Sequence, residues 1–266
     1  MGDDPFDFAA WAAEFASGLR PGKTRQPMTV KAGTHEDRDT GDKWATLTIS
    51  GDCSAFCVGG YSVAVEHGYD VTRPCPTCGP SRDHVRRFNV ARLPVWAHRV
   101  EPEWAGPLNS PTWAQVEAFG ASLASGSVKA RVWYGDPGRG KSWLACAVAL
   151  CALKAGATVA WVSWPDLLSN LRDRVREGRP LLELLRPLAS PAVLVVDEVK
   201  GAATEFSADV AETLIGRRVE SGGKILLTAN LSEAQLWQCV GDRVRSRLAA
   251  AGKCSPLTGT DRRNSR

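Results

Sequence analysis

The stretch "WYGDPGRGKSW", residues 133–143, decides how this sequence folds. Gly135, Asp136, Pro137, Gly138, Arg139, Gly140, Lys141 and Ser142 fall in the spacing G-x-x-x-x-G-K-S, with Trp143 directly after. At that spacing a glycine-rich backbone presents N–H groups to phosphates, the lysine reaches the β and γ oxygens, and the hydroxyl ligates Mg²⁺. The match is informative only with a strand before it and a helix after it. Both are present. "KARVWYG" (129–135) is a short β-branched and aromatic run, and "KSWLACAVALCALKAG" (141–156) is a helix-forming stretch with Gly156 at its C′ position.

Working outward, "AVLVVDEV" (192–199) is a buried-strand pattern that delivers Asp197 and Glu198 at its end. Next to a phosphate loop, the first acid can hold Mg²⁺ and the second can polarise an attacking water. The competing reading is that one of these acids caps the next helix. "TVAWVSW" (158–164) and "KILLTAN" (224–230) read as further buried strands separated by helical stretches. The alternation predicts an α/β fold with a parallel sheet, with ligands at the carboxyl ends of its strands. Asn230 sits at such an end, as a polar sensor of the γ-phosphate or as an ordinary turn residue before an N-cap at Ser232. "SPTWAQVEAFGASLASG" (110–126) supplies an N-cap serine, a proline at N1 and an apolar stripe, so the ATPase unit is predicted over 105–266.

Several linked motifs resemble one family. "NVARLP" (89–94), the phosphate loop, "VAWVSWPDLLSNLRD" (159–173), "VLVVDEV", "RRVESGGKILLTANLS" (217–232) and "GDRVRSRLAAAGK" (241–253) occur in the order of the DnaC/IstB-like AAA+ ATPases, over roughly 85–263. That family includes loaders of replicative helicases and ATPase helpers of transposases. The resemblance implies ATP, a sheet of order 5-1-4-3-2 with the Asn230 strand between the phosphate-loop and acid-pair strands, and no C-terminal lid. It also implies an arginine acting on a neighbouring subunit, Arg247 in the matching "SRL", with Arg243 one helical turn earlier buttressing the interface. Ion pairing with Glu233 or Asp242 is the simpler alternative for both. Trp143 and the loop "KGAATEFSAD" (200–209) depart from the family pattern.

Eight cysteines are present, and four of them fall in two close pairs. "CSAFC" gives Cys53 and Cys57; "CPTCG" gives Cys75 and Cys78. Between them "YSVAVEHGYDVTR" (61–73) reads as two strands around His67 and Gly68, a pattern that brings both pairs together on structural Zn²⁺. The x₃ spacing of the first pair is atypical, and His67 or His84 is an alternative ligand. The chain thus divides into an N-terminal helix and linker (1–50), a zinc-ribbon-like module (51–84), a basic linker (85–104) and the ATPase unit. "DPFDFAAWAAEFASGL" (4–19) has Phe8, Trp11 and Phe15 at helical spacing.

A net charge of +4 is too small to dictate a nucleic-acid partner, but it hides local clusters. Five arginines against one aspartate lie between Arg82 and Arg99, and Arg172, Arg174, Arg176 and Arg179 follow the second strand. A solvated face is the simpler reading of either cluster; the resemblance implies that the region after the second strand faces single-stranded DNA, with its arginines as phosphate contacts. No apolar run is long enough to span a bilayer, and the acidic N-terminus lacks a targeting pattern, so a cytoplasmic protein is expected. The resemblance implies a hexameric replicative helicase as partner, with self-association through AAA+ interfaces. A transposase helper and an ATP-switched adaptor are the alternatives.

Overall fold

The structure is a computed structural model that describes residues 29–37, 41–50, 57–58, 61–66, 69–75, 79–100, 113–126, 128–201, 204–259 and 261. The chain divides into two compact units, 1–103 and 104–266.

In the first unit, β1 (Thr29–Glu36) and β2 (Lys43–Ser50) form an antiparallel hairpin. Residues up to 50 read as helix and linker from sequence, so this hairpin is a correction for 29–50. Its cause is visible in β2, where the buried Ala45 and Leu47 alternate with the less buried Trp44, Thr46 and Thr48. Helix α1 (Gly79–Ala91) packs Val85, Phe88 and Ala91 into the same core. The Asn89 amide serves as a main-chain substitute, accepting from the Leu47 N–H at 2.7 Å and donating to the Leu47 carbonyl at 2.9 Å. Val95–Arg99 forms a 3₁₀ turn. The stretch 85–104 is therefore not a plain linker: helix and 3₁₀ turn occupy residues up to 99, drawn in by the apolar positions that the basic composition obscured. Between hairpin and helix, β3 (Cys57–Val58), β4 (Tyr61–Glu66) and β5 (Tyr69–Pro74) make a small antiparallel sheet. The N-terminal amphipathic stretch lies outside the described residues.

The second unit carries a five-stranded parallel sheet of β6 (Ala130–Tyr134), β7 (Val159–Ser163), β8 (Val193–Val199), β9 (Lys224–Ala229) and β10 (Gly252–Pro256). Its spatial order is β10-β6-β9-β8-β7, which places β9 between β6 and β8. Helix α2 (Trp113–Ser125) precedes β6, and α3 (Lys141–Lys154) follows it. Every residue of α3 from Leu144 to Leu153 is buried, so this helix is apolar all round and is held by packing rather than by one amphipathic face. Gly120 permits the close crossing of α2 on α3, because a Cβ there would collide with Cys151. Helices α4 (Trp164–Arg176) and α5 (Leu181–Leu185) lead from β7 to β8. From β8 the chain runs through α6 (Glu205–Ala211), a π turn over Glu212–Gly216 and α7 (Arg217–Glu220) to β9. Helices α8 (Glu233–Val240) and α9 (Asp242–Ala251) complete the unit. The core against the sheet is mainly aliphatic, built on Leu194, Val196, Ile215, Ile225 and Leu227, with Trp164 fully buried among them. No helix among the described residues is long and apolar enough to cross a membrane.

Candidate functional site

The phosphate loop joins β6 to α3 as the sequence predicts. Gly135, Gly138 and Gly140 have φ of 127°, 78° and 81°, conformations that side-chain-bearing residues rarely adopt, so the turn depends on glycine. Lys141 is 4% exposed, and its ammonium donates to the Gly135 and Asp136 carbonyls at 2.8 and 2.7 Å. Arg139 donates to the Gly259 carbonyl and lies 3.3 Å from Asp136. Pro137 is exposed in the loop and Trp143 half-buried behind it. After β10 the chain crosses this loop: the Leu257 N–H bonds the Tyr134 carbonyl at 2.8 Å, and a Cβ at Gly138 would collide with the Asp261 carboxylate.

The sheet then brings the acid pair to the loop. Ser142 Oγ donates to Asp197 Oδ1 at 2.8 Å, across 55 residues of sequence. Burial pushes the Asp197 carboxyl up from its ordinary range, opposed by hydrogen bonds from Thr228 and Ser142. A hydroxyl and a carboxylate converging beside a phosphate loop are hard oxygen ligands of the kind Mg²⁺ takes, and they fit that ion. Glu198 is held by Lys200, whose ammonium lies 3.0 Å from its carboxylate. Its backbone is left-handed, φ 60°, an uncommon conformation for a residue other than glycine. Asn230 follows β9, with its N–H bonding the Val199 carbonyl at 3.1 Å. Asp197, Glu198 and Asn230 thus stand at adjoining strand ends.

Sequence reading overlooked Thr228. Its hydroxyl donates to Asp197 Oδ1 at 2.5 Å and accepts the Glu198 N–H at 2.9 Å. A buried hydroxyl in an otherwise aliphatic strand was the available signal. A second clamp was equally unread. The Tyr134 hydroxyl donates to Glu233 at 2.8 Å, Trp237 Nε1 donates to the same carboxylate at 3.2 Å, and the Gly135 N–H bonds the Leu231 carbonyl at 3.1 Å. These contacts fix the turn after Asn230 to the start of the phosphate loop. Burial and the Glu233 carboxylate push the Tyr134 phenol up to about 12.

The two candidate arginines of α9 stand apart in role. Arg247 pairs with Glu212 and, at 3.1 Å, with Glu220, whereas Arg243 is largely exposed, 4.0 Å from Glu212. Their acidic neighbours come from the π turn and α7 rather than from Glu233 or Asp242, because α9 folds back over the helix that follows β8. In the basic clusters, Arg86 and Arg87 both pair with Asp83, Arg92 stacks 4.6 Å over Trp44, and Arg172 lies 5.5 Å from the Phe206 ring. Arg174, Arg176 and Arg179 are exposed.

Of the proposed zinc ligands, Cys53 and Cys78 lie outside the described residues, as does His67. Cys57 opens β3, and Cys75, which is buried, follows β5. The register pairs Cys57 with Ser62 and Pro74 with Tyr61, so both cysteines lie toward the same end of the small sheet. His84 is buried in α1. Among the described residues no group of three or more His, Cys, Asp or Glu is placed to hold a metal.

A phosphate loop on a five-stranded parallel sheet, with an acid pair and a polar residue on neighbouring strand ends, defines an AAA+-type P-loop domain. A family model for IstB-like ATP binding proteins matches residues 121–251. The replicative helicase loader DnaC of Escherichia coli K12 is 30% identical over 156 residues, 57% of this chain and 60% of the loader's length. The putative ATP-binding protein of insertion sequence IS5376 from Geobacillus stearothermophilus is 33% identical over 114 residues, 42% of this chain and 45% of its own. A crystal structure of the DnaC helicase loader superposes with a TM-score of 0.50 at 18% identity, covering 65% of this chain and 99% of that one, a likeness of fold. Over the span that these matches share, the chain is similar to the DnaC/IstB-like AAA+ ATPases.

Proposed function

We propose that the chain is an ATP-hydrolysing loader of a replicative DNA helicase. The convergence of Ser142 and Asp197 at the phosphate loop, with Glu198 next along the strand, supports hydrolysis, and the similarity to a named helicase loader supports the loading role. In this reading the loop amides and Lys141 cradle the β and γ phosphates. Held by Ser142 and Asp197, Mg²⁺ supplies charge neutralisation on the phosphate oxygens. Glu198 accepts a proton from the attacking water, once its carboxylate leaves Lys200, and Asn230 donates to the γ-phosphate. Arg247, with Arg243 beside it, is the cation delivered to a neighbouring subunit's phosphate after it releases Glu212 and Glu220.

The exposed arginines 174, 176 and 179 are the contacts for single-stranded DNA, with salt-sensitive binding as the consequence. The first unit is the part that docks a hexameric helicase, its small sheet stapled by Zn²⁺ on Cys53, Cys57, Cys75 and Cys78. So short a sheet has little core of its own, which is the physical motive for a metal. The similarity to the insertion-sequence protein favours a second reading, a transposase helper that binds target DNA. Capture of the full chain with ATP from a lysate, followed by mass spectrometry, separates the two. A hexameric helicase is the expected partner; a transposase in its place overturns the loader reading.

A further inference from the structure

We infer that Thr228 is the positioning residue of the acid pair: one buried hydroxyl aims the Asp197 carboxylate and holds the Glu198 peptide in its left-handed turn. The inference deepens the ATPase reading and rests on it. It begins with register. Strands β8 and β9 run in step from Val193 opposite Lys224 to Val196 opposite Leu227, and resume at Val199 opposite Ala229. Three steps on β8 match two on β9, so β8 carries one extra residue across Asp197 and Glu198, opposite Thr228. Successive side chains of a flat strand point to opposite faces, which would separate two adjacent acids. A bulge re-aims the strand locally, and φ of 60° at Glu198 is part of that re-aiming.

The bulge removes Glu198's N–H from the regular ladder, and an unpaired buried amide is costly. Thr228 Oγ1 accepts it at 2.9 Å. The same oxygen's only proton goes to Asp197 Oδ1 at 2.5 Å, where Ser142 also donates. One hydroxyl thus donates to the Asp197 carboxylate and accepts from the Glu198 main-chain N–H. Thr228 is 1% exposed, among Leu226, Leu227 and Ala229, all fully buried. Simple core filling would be served at least as well by valine, which has the same shape, so a hydroxyl at this position is explained by its two partners.

That shape equality supplies the experiment, on the full chain with Mg²⁺ and ATP. Thr228→Val keeps the volume and removes both hydrogen bonds; Thr228→Ser keeps both bonds and removes a methyl. The positioning role expects Thr228→Val to lose about 10- to 100-fold in kcat/KM, the usual cost of removing the partner of a metal-ligating side chain. A fluorescent ATP analogue provides a second readout: Thr228→Val should lose most of the affinity gained on adding Mg²⁺ while binding in EDTA stays at the wild-type level. Thr228→Ser should match wild type in both. Core filling expects the opposite ranking. Wild-type turnover and Mg²⁺-dependent binding in Thr228→Val would overturn the inference, as would a folded Thr228→Ser with the losses ascribed to valine. If wild type itself fails to hydrolyse ATP, the ATPase reading fails, and the Mg²⁺-dependent binding of the two variants still decides what Thr228 does for Asp197.

Discussion

In the proposed function, Lys141 and Glu198 separate binding from chemistry at the level of single side chains. Lys141 is buried at the loop, with its ammonium within 2.8 Å of two main-chain carbonyls, so its removal takes positive charge from the phosphate position. Lys141→Ala should weaken ATP binding by at least about tenfold, the scale of a charge-assisted hydrogen bond. Glu198→Gln keeps the shape and removes the base, so it should retain ATP and lose turnover; equal loss of nucleotide affinity in both variants would contradict these roles. Arg218 shows that charge alone does not mark a functional residue. It is 5% exposed, and its guanidinium donates to the carbonyls of Leu188, Ala189, Pro191 and Lys224. Burial pulls its pKa down to about 10, and every contact it makes is to the main chain, so its work is to anchor the approach to β8 and β9.

Among the elements, the segment after β10 and the small sheet each carry a consequence. The Asp261 carboxylate lies against Gly138 in the loop that receives phosphates. Like charges there oppose one another, so Asp261→Asn should tighten ATP binding by about two- to fivefold at low salt, the difference shrinking as salt is added. An unchanged affinity at low ionic strength would show that this segment leaves the loop when nucleotide binds. For the small sheet, metal analysis should find one Zn²⁺ per chain, lost in Cys75→Ser and in Cys78→Ser together with the folded state of the first unit. Metal-free protein with a folded first unit would remove zinc from the account.

At the scale of the whole molecule, the guanidinium for the transferring phosphate has to come from another subunit if Arg247 acts as proposed. Arg247→Ala should then lose on the order of 10³-fold in stimulated turnover while its own ATP binding persists. Mixed with Lys141→Ala, it should regain activity, since one partner contributes an intact phosphate loop and the other an intact arginine. Full activity of Arg247→Ala by itself would leave Arg247 as the intrachain partner of Glu212 and Glu220, the contacts it already makes.

By itself the sequence determined the class of the second unit. A phosphate loop is a contiguous run of eight residues, Gly135 to Ser142, whose glycines set the backbone locally, and the buried strands announce themselves as short apolar runs ending in Asp197 and Asn230. Local chemistry of that kind is legible because neighbours in the chain suffice to produce it. The hairpin at 29–50 was not, since its alternation is brief and its partner helix begins at Gly79. Tertiary structure alone decided how the acids are aimed. The extra residue in β8 becomes visible only when β9 lies beside it, and Thr228 acquires its two partners from residues about 30 positions away. Tertiary structure likewise decided the company of Arg247, which the nearby acids Glu233 and Asp242 misstate. Hydrogen bonds and ion pairs act over a few ångströms, and it is the packing of α9 on the helix after β8 that brings Glu212 and Glu220 within that range.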